Sequence, residues 1–177
     1  MKDVASLKQR ARLLEFMNSR GTAVTGGVDL LKNGPAAAKI LGLFTPEIGH
    51  KASVEKVSPE ILEVRSVLSE IVANPGSRTA WATLNRLSNR AQFSARLQRG
   101  KRSELEPRSG NPVVASILKD VIEVMDRGEW ERFKQCAREV CSSTYFDSSR
   151  SRTQRWCPYS DCGNVMNVAA HRARTRS

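Results

Sequence analysis

Cys136-Ala137-Arg138-Glu139-Val140-Cys141 and, fifteen residues later, Cys157-Pro158-Tyr159-Ser160-Asp161-Cys162 contain every cysteine of the chain, in the spacing C-x4-C-x15-C-x4-C. Two pairs of soft ligands brought in from two chain turns match a closed tetrahedral zinc site, whose four positions are filled by thiolates. Disulfides and unrelated buried thiols are the alternatives. Disulfides require an oxidising compartment, and the opening Met1-Lys2-Asp3-Val4-Ala5-Ser6-Leu7-Lys8 carries charges where a signal peptide would have its apolar stretch. Unrelated thiols have no reason to fall in two pairs of equal spacing with none elsewhere. The expectation is Zn2+ on Cys136, Cys141, Cys157 and Cys162 in a cytoplasmic protein.

Working outward from the cysteines, the flanking sequence is rich in rings and arginines. Six of the ten aromatic residues lie close by: Trp130, Phe133, Tyr145, Phe146, Trp156 and Tyr159. A module this small cannot be stabilised by burial alone, so metal and an aromatic mini-core are expected together. The first cysteine pair reads as a knuckle. Tyr145-Phe146 and Arg155-Trp156 read as the two arms of a β-hairpin, and Cys162-Gly163 leads into a helix from Asn164 to about Arg174. That order describes a treble-clef-like finger. A cysteine at a helix N-terminus gains from the dipole and the unpaired N–H groups there, which favour a thiolate.

The chain of 177 residues carries a formal charge of +11. Residues 148–177 hold six arginines against Asp161, a net +5, leaving +6 for the other 147 residues. The densest positive field therefore lies on the finger, as a polyanionic partner would require. Arg150, Arg152 and Arg155 are candidates for phosphate, although four thiolates around one Zn2+ leave a local charge of −2 that nearby arginines could instead offset. On the final helix Asn164, Asn167, His171 and Arg174 fall at i, i+3, i+7 and i+10, a polar stripe with the donors and acceptors that base edges and phosphates use. Arg172 and Arg176 flank it. Cys162, Met166, Ala169 and Ala173 form a second stripe expected to rest on the finger, and an ordinary solvated face is the plain alternative for the first.

Upstream the signals are helical. A helix from about Val4 to Met17, with Leu7, Leu14 and also Ala11 and Phe16 as its stripe, ends at Arg20-Gly21. Short pieces follow at Asp29–Lys32 and Ala36–Leu43, and Pro46–Val57 reads as loop. Ser58-Pro59-Glu60 starts a helix with a capping hydroxyl, a proline at its first position and an acid at the positive end. Asn74-Pro75-Gly76 ends it, and Ser77 caps the next, through Trp81, Leu84 and Leu87. Phe93, Ala95 and Leu97 against Leu105 suggest a small hairpin, and Ser109-Gly110-Asn111-Pro112 opens an apolar helix from Val113 to Met125. The expected class is α+β: a predominantly helical domain over residues 1–128 with a small β-hairpin, then a treble-clef-like four-cysteine zinc finger over 129–177. No apolar run approaches the roughly 18 residues of a membrane span, so no membrane partner is expected. Nothing resembles a nucleophile elbow, a phosphate-binding glycine loop or a supported carboxylate dyad, so the chain does not read as an enzyme.

Phe146-Asp147-Ser148-Ser149-Arg150, Arg155-Trp156-Cys157, Cys162-Gly163-Asn164 and His171-Arg172-Ala173-Arg174 together resemble the CGNR-type zinc finger over about the last 45 residues. Glu15-Phe16-Met17-Asn18-Ser19-Arg20 and Asp29-Leu30-Leu31 resemble weaker signatures of the ABATE domain that usually precedes this finger. The resemblance implies a stress-induced transcription regulator. Its finger would bind DNA through Asn164, His171, Arg172 and Arg174, and its N-terminal domain would sense an unknown small-molecule ligand. The chain departs from the motif at Val165, where the family's naming arginine belongs, and at Asn167, where a basic residue is usual. Two lost cations remove about two phosphate contacts, and the second expectation is therefore a zinc-stapled module for RNA or an acidic protein.

Overall fold

The computed structural model describes residues 4–50, 53–97, 99, 103–158 and 162–175, with the side chains of Ala170 and Ala173 excepted. Helix α1 (Val4–Asn18) buries Ser6, Gln9, Leu13, Phe16, Met17 and Asn18. Of the expected stripe Phe16 is buried and Leu14 packs against the core, but Leu7 and Ala11 are exposed and Leu13 takes the place expected of Leu7. The reason is polar. Ser6 and Arg10 bond Glu129, Gln9 bonds Glu123, and Arg12 pairs with buried Asp120, so one flank of the buried face is held by hydrogen bonds that an apolar-periodicity argument does not see.

Two 3-10 turns, Ala23–Thr25 and Leu30–Lys32, lead into α2 (Gly34–Gly42), which Asn33 caps by accepting from the Ala36 N–H at 3.0 Å. Within the segment expected to be loop, Pro46–Gly49 forms a one-turn helix, α3, folded back on α2. This needs glycine on both sides, because a Cβ on Gly42 would come within 2.3 Å of the Gly49 Cα.

Helix α4 (Pro59–Ala73) starts at Ser58, whose hydroxyl accepts from Glu60 N–H, and α5 (Arg78–Ala91) starts at Ser77, which accepts from Ala80 N–H. The two pack together, and α4 also touches α1. Strands β1 (Phe93–Arg96) and β2 (Glu104–Pro107) form the expected antiparallel hairpin, with Ala95 opposite Leu105. Asn111 then caps α6 (Pro112–Asp126), accepting from both Val113 and Val114 N–H. Ile61, Val64, Leu68, Ile71, Ile117, Leu118 and Val121 build the core between α4 and α6 with Leu13 and Phe16 of α1.

The second sheet pairs β3 (Phe133–Gln135) with β4 (Thr144–Phe146), Phe133 facing Phe146. This corrects the expected arms, since Tyr145-Phe146 pairs with Phe133–Gln135 and not with Arg155-Trp156. An edge-to-face contact between Phe133 and Phe146, at 5.2 Å between ring centroids, fixes that choice as a cross-strand aromatic pair. Trp130 and Phe133 belong to the main core, with Phe146 packed against it, so the finger's own mini-core is smaller than the count of rings implied. Tyr145 and Trp156 alone pack with the cysteines among the described residues, and Tyr159 lies outside them. Helix α7 (Cys162–Thr175) ends the chain's described part.

Candidate metal centre

Cys136 follows β3 and Cys141 precedes β4, so the first pair lies in the turn of the β3–β4 hairpin. Cys157 follows Arg155-Trp156, which run beside that turn: Ala137 N–H donates to the Arg155 carbonyl at 3.0 Å. Cys162 opens α7. All four side chains are buried, and their Sγ atoms lie within 4.8 Å of one another. Four sulfurs at about 2.3 Å from one ion in a tetrahedron stand about 3.8 Å apart. The Cys141 and Cys157 sulfurs are 3.6 Å apart, close to that spacing and far beyond the roughly 2.05 Å of a disulfide. None of the four is bridged. Burial pushes the Cys136 thiol up to about 12, and a cation beside it would be what holds that sulfur as a thiolate at neutral pH. The cluster therefore fits a single soft divalent ion.

The surroundings suit a negatively charged sulfur cluster. Cys157 N–H donates to Cys136 Sγ at 3.4 Å, and an Arg138 Nη1 lies 3.8 Å from Cys162 Sγ. Arg138, in the middle of the first C-x4-C, thus reaches a ligand sulfur, and Arg155 lies over the Trp156 ring at 5.3 Å. Arg138, within the knuckle itself, was not among the arginines that the sequence singled out as partners for the sulfur charge.

The segment between the cysteine pairs is shaped by Asp147. Its buried carboxylate accepts from Lys134 Nζ at 2.7 Å, from Ser149 N–H and Oγ, and from Gln154 N–H. Burial alone would raise this acid, but the Lys134 ammonium and the Ser149 hydrogen bonds outweigh it and hold it at about 2. Arg132 grips the same segment through the Asp147 and Ser149 carbonyls, and buried Tyr145 donates to the Gln154 carbonyl at 2.5 Å. The resulting loop leaves Arg150, Arg152 and Arg155 exposed.

On α7, Asn164, Asn167, His171, Arg172 and Arg174 are all exposed, whereas Arg176 lies outside the described residues. The stripe expected to rest on the finger holds for Cys162, which is buried, and Met166, which is half-buried. It fails at Ala169, which is exposed. Val165 and Val168 on the same helix are also exposed, at 43% and 48%.

The helical body reaches the metal turn through residues that sequence reasoning placed only as a loose signature. Asn18 donates from Nδ2 to the Thr144 carbonyl and accepts from the Thr144 N–H, both at 2.8 Å. Arg20 donates to the Ser142 carbonyl at 3.0 Å, and Ala23 N–H to the Cys141 carbonyl at 3.2 Å. Asp29 holds Arg65 with two hydrogen bonds of 2.7 and 2.8 Å, and Arg65 also bonds Ser19.

A helical body locked onto a four-sulfur hairpin-and-helix unit defines a zinc-finger protein of mixed α+β class. The CGNR zinc finger family matches residues 132–175, and the ABATE family, described as "Putative stress-induced transcription regulator", matches residues 10–128. The chain belongs to the ABATE family and carries a CGNR zinc finger, with Zn2+ as its cofactor. Neither description is that of an enzyme. No curated protein matches the chain. Among the described residues, no helix is long and apolar enough to cross a membrane.

Proposed function

We propose that the protein is a DNA-binding transcription regulator whose finger, residues 129–177, is held by Zn2+ on the thiolates of Cys136, Cys141, Cys157 and Cys162, and whose helical body, residues 1–128, biases it. The ion supplies the folding free energy of the finger, on the order of 10–16 kcal/mol for sites of this kind, and performs no reaction. Arg138 and the Cys157 amide offset the sulfur charge, which leaves Arg150, Arg152 and Arg155 for phosphate.

The observation that carries this reading is α7: a fourteen-residue helix anchored at Cys162 that bears Asn164, Asn167, His171, Arg172 and Arg174, all exposed. Such a helix is marginal alone in water and fits a groove. Arg172 and Arg174 contact phosphate; Asn164 and Asn167 face base edges. Fluorescence anisotropy with the zinc-loaded chain and a random duplex across a salt series tests it. Replacing both arginines by alanine lowers the magnitude of the log–log salt slope by about 1.8, at roughly 0.9 per phosphate contact. Duplex binding that ignores salt rejects the reading.

A second reading is favoured by exposed Val165 and Val168, which stand where cations would serve a backbone-binding helix better. In it the finger is a staple for RNA or for an acidic protein. Retention of single-stranded RNA or of a protein partner with none of duplex selects this reading.

A further inference from the structure

A cleft of about 930 Å3 opens between the helical body and the finger. Its volume lies within the roughly 300–1,000 Å3 of small-molecule sites. The body side is apolar: Ile71 and Val72 at the end of α4, Trp81 on α5, Met125 at the end of α6 and Trp130 beyond it. Trp81 already donates its indole N–H to the Pro75 carbonyl at 2.8 Å, so it offers the cleft ring surface and not a donor. Met125 is 40% exposed at the C-terminal end of α6.

The finger side differs in charge. Lys134 and Arg155 line it, with Glu131 the only acid among the described lining residues. The Lys134 ammonium is committed to Asp147 at 2.7 Å and to the Arg152 carbonyl at 2.5 Å. Arg155 is exposed, makes no salt bridge among the described residues, and has its guanidinium carbon 5.3 Å from the centre of the Trp156 ring. The wall therefore offers one positive head-group site opposite a pair of indoles.

We propose that this cleft binds a small amphipathic anion, an aromatic or branched apolar carboxylate whose ring lies among Trp81, Met125 and Trp130 and whose carboxylate pairs with Arg155. The site supplies the sensing role with a ligand class and rests on the cleft alone, whether or not the finger binds DNA. Charge-assisted pairing gives the anion its preference over a neutral isostere, and the indoles give the ring its affinity.

Isothermal titration calorimetry on the full zinc-loaded chain tests it, with 2-naphthoate and its uncharged relative 2-naphthamide as probes. 2-Naphthoate saturates one site with a dissociation constant below about 1 mM, and the amide binds about tenfold more weakly. Arg155→Gln reduces 2-naphthoate to the amide's affinity and leaves the amide unchanged. Met125→Trp, which fills the cleft from a partly exposed position, abolishes both, with circular dichroism confirming the fold. Absence of saturable heat for either probe overturns the proposal, as does binding that Met125→Trp does not alter. Equal affinity for acid and amide overturns the assignment of the anion to Arg155.

Discussion

Asn18→Ala is the substitution that most directly probes how the helical body holds the finger. The register of β3 and β4, with Cys136 N–H donating to the Ser143 carbonyl, puts Thr144 in a non-hydrogen-bonded position opposite Gln135, so its N–H and C=O point away from β3. The Asn18 side-chain amide meets both at 2.8 Å and completes that edge as another strand would. Asn18 and Thr144 are buried, so truncation leaves two backbone groups of Thr144 without partners. At about 1–3 kcal/mol for each unsatisfied buried group the expected loss is about 2–6 kcal/mol. Urea unfolding of the zinc-loaded protein, followed by tryptophan fluorescence, reads it as a lower midpoint with unchanged slope. Asn18→Asp keeps the acceptor for the Thr144 N–H but sets a carboxylate against the Thr144 carbonyl, and so loses at least as much. A loss under about 1 kcal/mol for the alanine variant would refute the edge-closing role, since it would mean that water reaches Thr144 once the amide is gone.

Asp29→Asn weakens the clamp on Arg65 and lowers stability at pH 7 by about 1.5–3 kcal/mol, the range for hydrogen bonds to charged groups. The two Arg65 hydrogen bonds hold the Asp29 carboxyl below its ordinary value, so the stability it adds is present above the ordinary carboxylate range and lost as pH falls below it. In urea titrations at stepped pH the gap between wild type and Asp29→Asn therefore closes on acidification; a gap that widens would contradict the clamp. Because Arg155 belongs both to the cleft and to the phosphate-facing loop, saturating 2-naphthoate weakens duplex binding in anisotropy, and Arg155→Gln removes that competition. Gly42→Ala forces the α2–α3 approach apart, since its Cβ would meet the Gly49 Cα at 2.3 Å, and lowers the thermal midpoint, whereas Gly128→Ala, with open space around its Cβ, acts only through its positive φ and costs less.

The helices were legible because their starts are chemical: Ser58, Ser77 and Asn111 each cap where a hydroxyl or amide precedes a hydrophobic run. The first half of the buried face of α1 was not, because Ser6, Gln9 and Arg10 are held there by acids more than a hundred residues away, a pairing that periodicity cannot encode. The metal cluster could be read from spacing alone, since thiolates at fixed intervals have few other uses. The hairpin around it could not, because Phe133 competes with Arg155-Trp156 as partner for β4 and wins through a ring contact formed only in three dimensions. Asn18 and Arg20 were visible as a signature without a role. What they do, bonding Thr144 and Ser142 in the hairpin that carries Cys141, follows from the docking of α1 on β4.

Cobalt substitution tests the centre of the account most directly. The purified chain, stripped and reloaded with Co2+, should bind one ion and give the intense sulfur-to-metal charge-transfer absorption and tetrahedral visible bands of four thiolate ligands, reduced by about a quarter in each of Cys136→Ser, Cys141→Ser, Cys157→Ser and Cys162→Ser where the ion is retained. Failure to bind cobalt or zinc, or a spectrum of fewer thiolates that one of these substitutions leaves unchanged, would contradict it.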